Sequence, residues 1–264
     1  MLLQRGQVAV VTGAASGIGY GLAEELARRG LSVVVSDVRQ DGLDRAAGAL
    51  AGAGADVLAV RADVSDAADV DALAAATLER FGRVDLVCNN AGVVGPQAPM
   101  WEQDLTTWRW LVDIKLMGVV HGVRAFAPLL VAQGTGHIVN TASLGGVLPL
   151  PSMTPYNATM HAVVGMTQTL DRELRSAASA VGATVLCPGA VTTGLAANST
   201  AVRTGAPATD EITKPSDAAL SPHEVAVRCL AAVEDDRVLV IPNDDRLAGV
   251  RDHLQSLLEG LDAR

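Results

Sequence analysis

The sequence predicts an α/β fold, a doubly wound parallel sheet of about seven strands with helices on both faces, and three observations lead there. First, short apolar runs rich in β-branched residues recur at 7–13, 32–37, 56–63, 84–90, 136–143, 183–189 and 237–242. Second, Ala-rich segments with apolar residues at helical spacing lie between them, among them 17–29, 66–81, 104–132, 155–179 and 221–234. Third, the strand runs are apolar along their length instead of alternating, as strands covered on both sides are, and strand alternating with helix implies parallel order. No low-complexity linker interrupts the series. With 264 residues and 49% hydrophobic content, the expectation is a single domain over 1–264 with a sizeable core.

The first run ends in TGAASGIG, Thr12 to Gly19, which opens the first helical segment. Gly13, Gly17 and Gly19 permit a tight turn, close backbone approach to a pyrophosphate and close helix packing, while the helix N-terminus favours phosphate charge. Ser16 and Ile18 belong to the same turn. Its place between strand and helix makes a Rossmann-type dinucleotide site the expectation, where an isolated glycine pattern would not. The second run ends at Asp37, about twenty residues on, where a carboxylate accepts hydrogen bonds from an adenosine ribose and repels a 2'-phosphate. Ser16 brings no cation for such a phosphate, so NAD is expected over NADP, with Arg39 nearby weakening the distinction.

Further along come NNAG at Asn89 to Gly92, Ser143, Tyr156 thirteen residues later, and PGAVTT at Pro188 to Thr193. Together with TGAASGIG, their order and spacing resemble the short-chain dehydrogenase/reductase family over about residues 7 to 193. The resemblance implies that Asp63 and Val64 flank the adenine and that Asn90, Ala91 and Gly92 line the cofactor. It implies that Pro188, Gly189, Val191 and Thr193 hold the nicotinamide, with Tyr156 beside it. It implies hydride transfer to or from a carbonyl or carbinol carbon, with Tyr156 as general acid/base and Ser143 polarising the reacting oxygen. Beyond 193 the match loosens to helix-strand-helix, and the tail from Asn243 does not resemble the family's glycine-rich ending.

Two departures from that pattern are neighbours in the implied fold. A free tyrosine titrates near pH 10, and in the family a lysine four residues on favours its phenolate and binds the nicotinamide ribose. Here that position is Met160, one helical turn from Tyr156 and on the same face. In the helix after the fourth strand, Lys115 of WLVDIKLMG stands where the family pattern resembles an asparagine. One reading is exchange: Lys115 reaches from the facing helix and supplies the cation missing at 160, while Met160 fills apolar space. The other is drift, with Lys115 a solvated charge on an inactive relative. Of 20 basic residues only Lys115 and Lys214 are lysine, and the segment around Lys115 is apolar. Buried lysines are rare unless paired, which favours exchange.

His161 points about 140° away from Tyr156 around a helix, so it is read as a packed or interface histidine. The other histidines lack metal-ligand spacing, and no metal is expected. Trp101, Trp108 and Trp110 read as core and pocket wall. Pocket walls should come from segments after strand C-termini, which carry Val94, Met100, Trp101, Leu144, Leu150, Met153 and Leu195. They imply a mostly apolar, medium-sized substrate. The polar stretch 194–220 reads as a substrate-covering lid. In the resembled family the helices equivalent to 104–132 and 155–179 pack between subunits, implying a homodimer or homotetramer.

A net charge of -9 argues against a nucleic-acid partner. The N-terminus reads as a strand instead of a signal peptide, and no uninterrupted apolar run is long enough in the sequence to span a bilayer. Cys88, Cys187 and Cys229 sit in apolar segments and read as core residues. A cytoplasmic enzyme acting on a small molecule is expected. The leading function is NAD-linked alcohol/ketone oxidoreduction; imine (C=N) reduction at the same rebuilt site, or a silent NAD-binding sensor or scaffold, are the alternatives.

Overall fold

The apolar runs pair side by side in the structure, a computed structural model that describes residues 1–206 and 216–262. The strands are β1 (Val8–Thr12), β2 (Ser32–Asp37), β3 (Val57–Arg61), β4 (Leu86–Asn89), β5 (Gly136–Thr141), β6 (Val181–Leu186) and β7 (Leu239–Val240). All pairings are parallel, in the order β3-β2-β1-β4-β5-β6-β7. Parallel neighbours need crossovers, and helices supply them. These are α1 (Gly17–Arg28), α2 (Gln40–Gly52), α3 (Ala67–Phe81), α4 (Leu105–Leu111), α5 (Gly118–Gln133), α6 (Thr154–Ala177), α7 (Leu195–Thr204), α8 (Pro222–Glu234) and α9 (Leu247–Asp262).

The strand pleat sends alternate residues to opposite faces, which is why uninterrupted apolar runs are needed. Ala9, Val11, Val33 and Val35 meet Leu22 and Leu26 of α1, Leu43 of α2 and Leu230 of α8. Val8, Val10, Val34 and Val87 meet Leu73 of α3, Phe126 and Leu130 of α5 and Leu170 of α6. Each fully buried side chain of this size contributes about 1.5–3 kcal/mol. Cys88, Cys187 and Cys229 are buried within this interior as free thiols. Burial pushes the thiols of Cys187 and Cys229 up to about 12.

Several boundaries differ from the sequence reading. The helix α2 is not among the segments singled out by periodicity, because Gly42, Gly48 and Gly52 dilute its stripe, although Leu43, Ala46 and Leu50 are buried at helical spacing. The last strand run, 237–242, pairs only through Leu239 and Val240; Pro242 has no N–H to continue the ladder. The helical run from Leu105 to Gln133 is long and apolar enough by length and composition to cross a membrane, although charged residues such as Asp113, Lys115 and Arg124 interrupt its apolar sequence. In this fold, Phe126 and Leu130 make it a core helix.

That same rod is not α-helical throughout. Val112–Met117 forms a π-helical segment between α4 and α5. Such a turn inserts a residue and re-phases the helix downstream of it. The inward face then runs through Leu111, Lys115, Gly118, Gly122, Phe126 and Leu130, all buried. A polar ladder fixes the neighbouring layers: Asn89 Nδ2 donates to Asn140 Oδ1 at 2.9 Å, Asn140 Nδ2 to Thr167 Oγ1 at 3.0 Å, and Thr167 Oγ1 to Val163 O at 2.6 Å. Each member is satisfied, so the ladder ties β4 and β5 to α6 without leaving a polar group stranded in the core.

Candidate active site

The strand order reverses at β1, so the loops after β1 and β4 diverge and leave a crevice at the strand C-termini. A cleft of about 390 Å³ opens there. It is lined by Gly13, Ser16, Gly17, Ile18, Asp37, Asp63, Val64, Asn90, Ala91, Gly92, Lys115, Tyr156, Pro188, Thr193 and Leu195 among the residues singled out in the sequence. Gly19 lies one layer back, where an added Cβ would overlap the Gly13 carbonyl. Gly13 has φ +67, and a Cβ there would fall 2.7 Å from Ala91 Cα. Only glycine gives this turn its shape, and the shape is a backbone cradle suited to a pyrophosphate.

The cradle is braced from β4. Asn90 N and Ala91 N donate to Thr12 Oγ1 at 3.0 and 3.1 Å, and Asn90 Nδ2 donates to Thr12 O at 3.1 Å. At the adenosine end, Asp37 accepts from Ala15 N at 3.2 Å and Arg39 N at 3.0 Å, which fixes its carboxylate at the cleft edge. Asp63 accepts from Ser65 N and Oγ, at 2.9 and 2.6 Å, and Val64 O receives His121 Nδ1 at 2.9 Å. These residues suit a dinucleotide: a glycine cradle for phosphates, and a carboxylate for a ribose.

Tyr156 stands in the first turn of α6 and is 8% exposed. Burial raises its pKa, and a hydrogen bond with Ser143 opposes the rise. Ser143 is buried at the end of the β5 loop, with its Oγ accepting from Gly145 N at 3.2 Å, and Leu144 N donates to Pro188 O at 2.8 Å. Met160 is fully buried in an apolar cluster with Tyr156, Val119, Val163 and Val185. Lys115 enters the cleft from the π-helical segment, 5% exposed, with Nζ 5.8 Å from the centre of the Tyr156 ring. Desolvation lowers its pKa from 10.5 to about 8. A Cβ on Gly92 would lie 2.5 Å from that Nζ, so the lysine tip rests in the space this glycine leaves.

The remaining expectations distribute unevenly. Gly189 is turned toward Asn243, whose Oδ1 accepts from its N–H at 2.7 Å, and Val191 bridges to Leu220. Val94 and Met153 pack on the cluster holding Tyr156 and Met160. Leu144 is buried, and Leu150 lies against Gly145. Met100 and Trp101 do not line the cleft: they sit 56% and 84% exposed on a short 3-10 turn. The neighbouring Gln103 amide is occupied with the carbonyls of Pro96, Ala98 and Ser152. Trp110, not Trp101, is the tryptophan in the wall. His161 is exposed, with Nδ1 on Asn157 O at 2.9 Å.

The stretch 194–220 contains a helix, α7, where the sequence reads as loop; residues 207–215 of it lie outside the described residues. Ser, Thr and Asn in LAANSTAVRT hide the helix, which Gly205 ends in the left-handed conformation at φ +69. Asn198, Ser199 and Val202 of this helix line the cleft and go unnoticed in the sequence. Their spacing of three, four and seven from Leu195 puts them on one face, which is the signal that would have found them. Trp110, from the end of α4, and Asp113, from the π-helical segment, also join the wall.

Comparison with known proteins gives consistent matches. The family model described as short chain dehydrogenase matches residues 7–203. A 1-deoxy-11-beta-hydroxypentalenate dehydrogenase from Streptomyces exfoliatus is 36% identical over 253 residues, covering 95% of this chain and 88% of that protein. Levodione reductase from Leifsonia aquatica is 37% identical over 195 residues, 73% of this chain and 72% of that protein. A crystal structure of a short chain dehydrogenase/reductase from Burkholderia phymatum in complex with NAD superposes with a TM-score of 0.89, 40% identity, and coverage of 98% and 97% of the two chains.

Proposed function

Since the chain belongs to the short chain dehydrogenase family, we propose that it is an NAD-dependent oxidoreductase acting on a mostly apolar, medium-sized secondary alcohol or ketone. The observation that carries this is one cleft holding the glycine cradle, Asp37, Tyr156 and the buried Lys115 together. Similarity to proteins named for a hydroxypentalenate and for levodione supports alcohol and ketone chemistry. Similarity to a structure in complex with NAD supports the cofactor.

When bound, the dinucleotide accepts or supplies a hydride at its nicotinamide ring. Gly13, Gly17 and the first turn of α1 would hold its phosphates and Asp37 its adenosine ribose, with Pro188 and Thr193 available to the nicotinamide half. Tyr156 Oη takes the hydroxyl proton in oxidation and returns it to the carbonyl oxygen in reduction. Ser143 Oγ hydrogen-bonds that oxygen and stabilises the charge it develops. Burial alone opposes the phenolate, since it raises the Tyr156 pKa. Lys115 Nζ, charged below about pH 8, supplies the opposing field that the uncharged Met160 does not give. The α7 segment covers the cleft, and the long helices α5 and α6 pack between the subunits of a homodimer or homotetramer.

The test is an NADH absorbance assay over secondary alcohols, ketones and cyclic imines. Turnover is expected with an apolar alcohol/ketone pair, and Tyr156→Phe should slow it roughly 10²- to 10⁴-fold with NAD binding retained. Turnover confined to imines would replace the carbonyl reading by C=N reduction. Tight NAD binding with no turnover on any class would make the protein a silent binder.

A further inference from the structure

Helix α7 reaches the adenosine end of the cleft and engages a cation there. The basic side chains lining the cleft, among the described residues, are Arg39 and Lys115; Lys115 lies by Tyr156, which leaves Arg39 for the adenosine end. Arg39 is held in three directions. Its Nη1 donates to Asn198 Oδ1 at 3.0 Å, its Nη2 to Ser16 Oγ at 3.5 Å, and its Nε lies 3.7 Å from Asp37 Oδ1. The Arg39 side chain is only 16% exposed as a result. Asn198 Nδ2 also donates to Ser16 Oγ, at 3.3 Å, so this one amide touches both the glycine turn and the guanidinium.

The next residue fixes the amide in place. Ser199 is 3% exposed, accepts from Val94 N at 2.9 Å and donates to Leu195 O at 2.6 Å, which docks α7 on the cleft wall. Asn198 therefore meets Arg39 from an anchored helix, and its carbonyl oxygen faces the donors that a phosphate would need.

NAD and NADP differ by one 2'-phosphate on the adenosine ribose, and a planar guanidinium is the side chain best suited to bind it, through paired hydrogen bonds. Resting on the NAD reading above, we propose that Asn198 is a specificity-determining residue: by holding Arg39 against Ser16 and Asp37, it withholds from a 2'-phosphate the cation that would otherwise pair with it. Asp37 repels the phosphate, and Asn198 keeps the neighbouring arginine from compensating. Cofactor choice is thus set partly by the covering helix, far along the chain from the glycine turn.

Binding of NAD and NADP is measured by calorimetry for the wild type, Asn198→Ala, Asn198→Asp, Arg39→Ala and the Asn198→Ala/Arg39→Ala double variant. In Asn198→Ala, NADP should tighten about tenfold relative to NAD, the size of one charge-assisted hydrogen bond. Asn198→Asp should move the ratio the opposite way, because a carboxylate holds Arg39 more firmly. The gain should vanish in the double variant. An equal loss for both cofactors in Asn198→Ala would mean that Asn198 only docks the helix, and overturns the proposal; so would a gain that survives without Arg39. A wild-type preference for NADP overturns the NAD reading and the proposal together, whereas a wild-type NAD preference with an unmoved ratio in Asn198→Ala overturns the proposal alone.

Discussion

Lys115→Met should make the protein more stable and less active at once. The ammonium is 5% exposed, and the group it faces is the Tyr156 ring, at 5.8 Å. Burial lowers its pKa from 10.5 to about 8; at about 1.4 kcal/mol per pH unit, holding the charged form inside costs the fold about 3 kcal/mol at neutral pH. The cation-ring contact offsets part of this, on the order of 0.5–2 kcal/mol. Methionine keeps the length and apolar stem while removing the charge, so a net gain of about 1–3 kcal/mol is expected at pH 7. The sign with pH comes from linkage. Between about 8 and 10.5 the unfolded chain binds the lysine proton and the folded chain does not, so wild-type stability from this group rises with pH across that window. The variant lacks that rise, and its advantage should shrink toward pH 10. Turnover at neutral pH should fall roughly 10- to 1000-fold, because a neighbouring cation moves a tyrosine pKa by roughly 1 to 3 units. Urea unfolding at pH 7 and pH 10, at equal protein concentration, and steady-state kinetics on the same preparations check both halves. A destabilised variant, a stability gap that ignores pH, or undiminished turnover would refute the reasoning.

Gly92→Ala should act through the same lysine: the new Cβ falls 2.5 Å from Lys115 Nζ and 2.8 Å from its Cδ, and displacing the tip by about 1 Å should cost roughly a hundredfold in kcat, read by steady-state kinetics. Met160→Lys alone should destabilise by about 3 kcal/mol in urea unfolding, since it adds a second cation to the fully buried apolar cluster that holds Tyr156. Adding Lys115→Asn to Met160→Lys should recover both stability and activity, with a coupling energy of roughly 1–3 kcal/mol. His137, 1% exposed and bonded to Thr184 Oγ1 at 2.8 Å, has its pKa lowered to about 4 by burial. As pH falls from about 6.5 to about 4 the unfolded chain takes up a proton that the folded chain refuses, so stability should drop by about 3 kcal/mol over that window. His137→Gln should flatten this loss in acid-titrated thermal unfolding.

What the sequence reveals and what it conceals divide along a physical line. Strand runs such as SVVVSD and the glycine turn are local: an apolar run on both pleat faces needs two covering layers, and Gly13 at φ +67 with backbone 2.7 Å from a would-be Cβ tolerates little else. Trp101 misleads because a large aromatic is taken as wall material, while its side chain is set by a 3-10 turn held through Gln103. The helix α7 is missed because its polar residues are there to reach Arg39, Ser16 and Val94, contacts with partners far off in sequence. Helical propensity gives no hint of that purpose.

The same line explains why YNATM reads as a loss and DIKLM as an oddity when each is taken alone. Spacing of four along α6 puts Met160 beside Tyr156, and this is legible. The side chain facing Tyr156 is decided by the π-helical turn at Val112–Met117, whose extra residue is not marked by any proline or glycine in VDIKLM. The turn buries Lys115 against Gly92, and it leaves Asp113 on the cleft wall. A buried ammonium in such a place works against folding, so keeping it there requires a return elsewhere, and the group it faces is the buried tyrosine whose ionisation most needs a positive neighbour. On the proposed mechanism the Lys115→Met variant therefore separates two quantities: the cost of burying the charge, read in unfolding, and the use of that charge beside Tyr156, read in turnover.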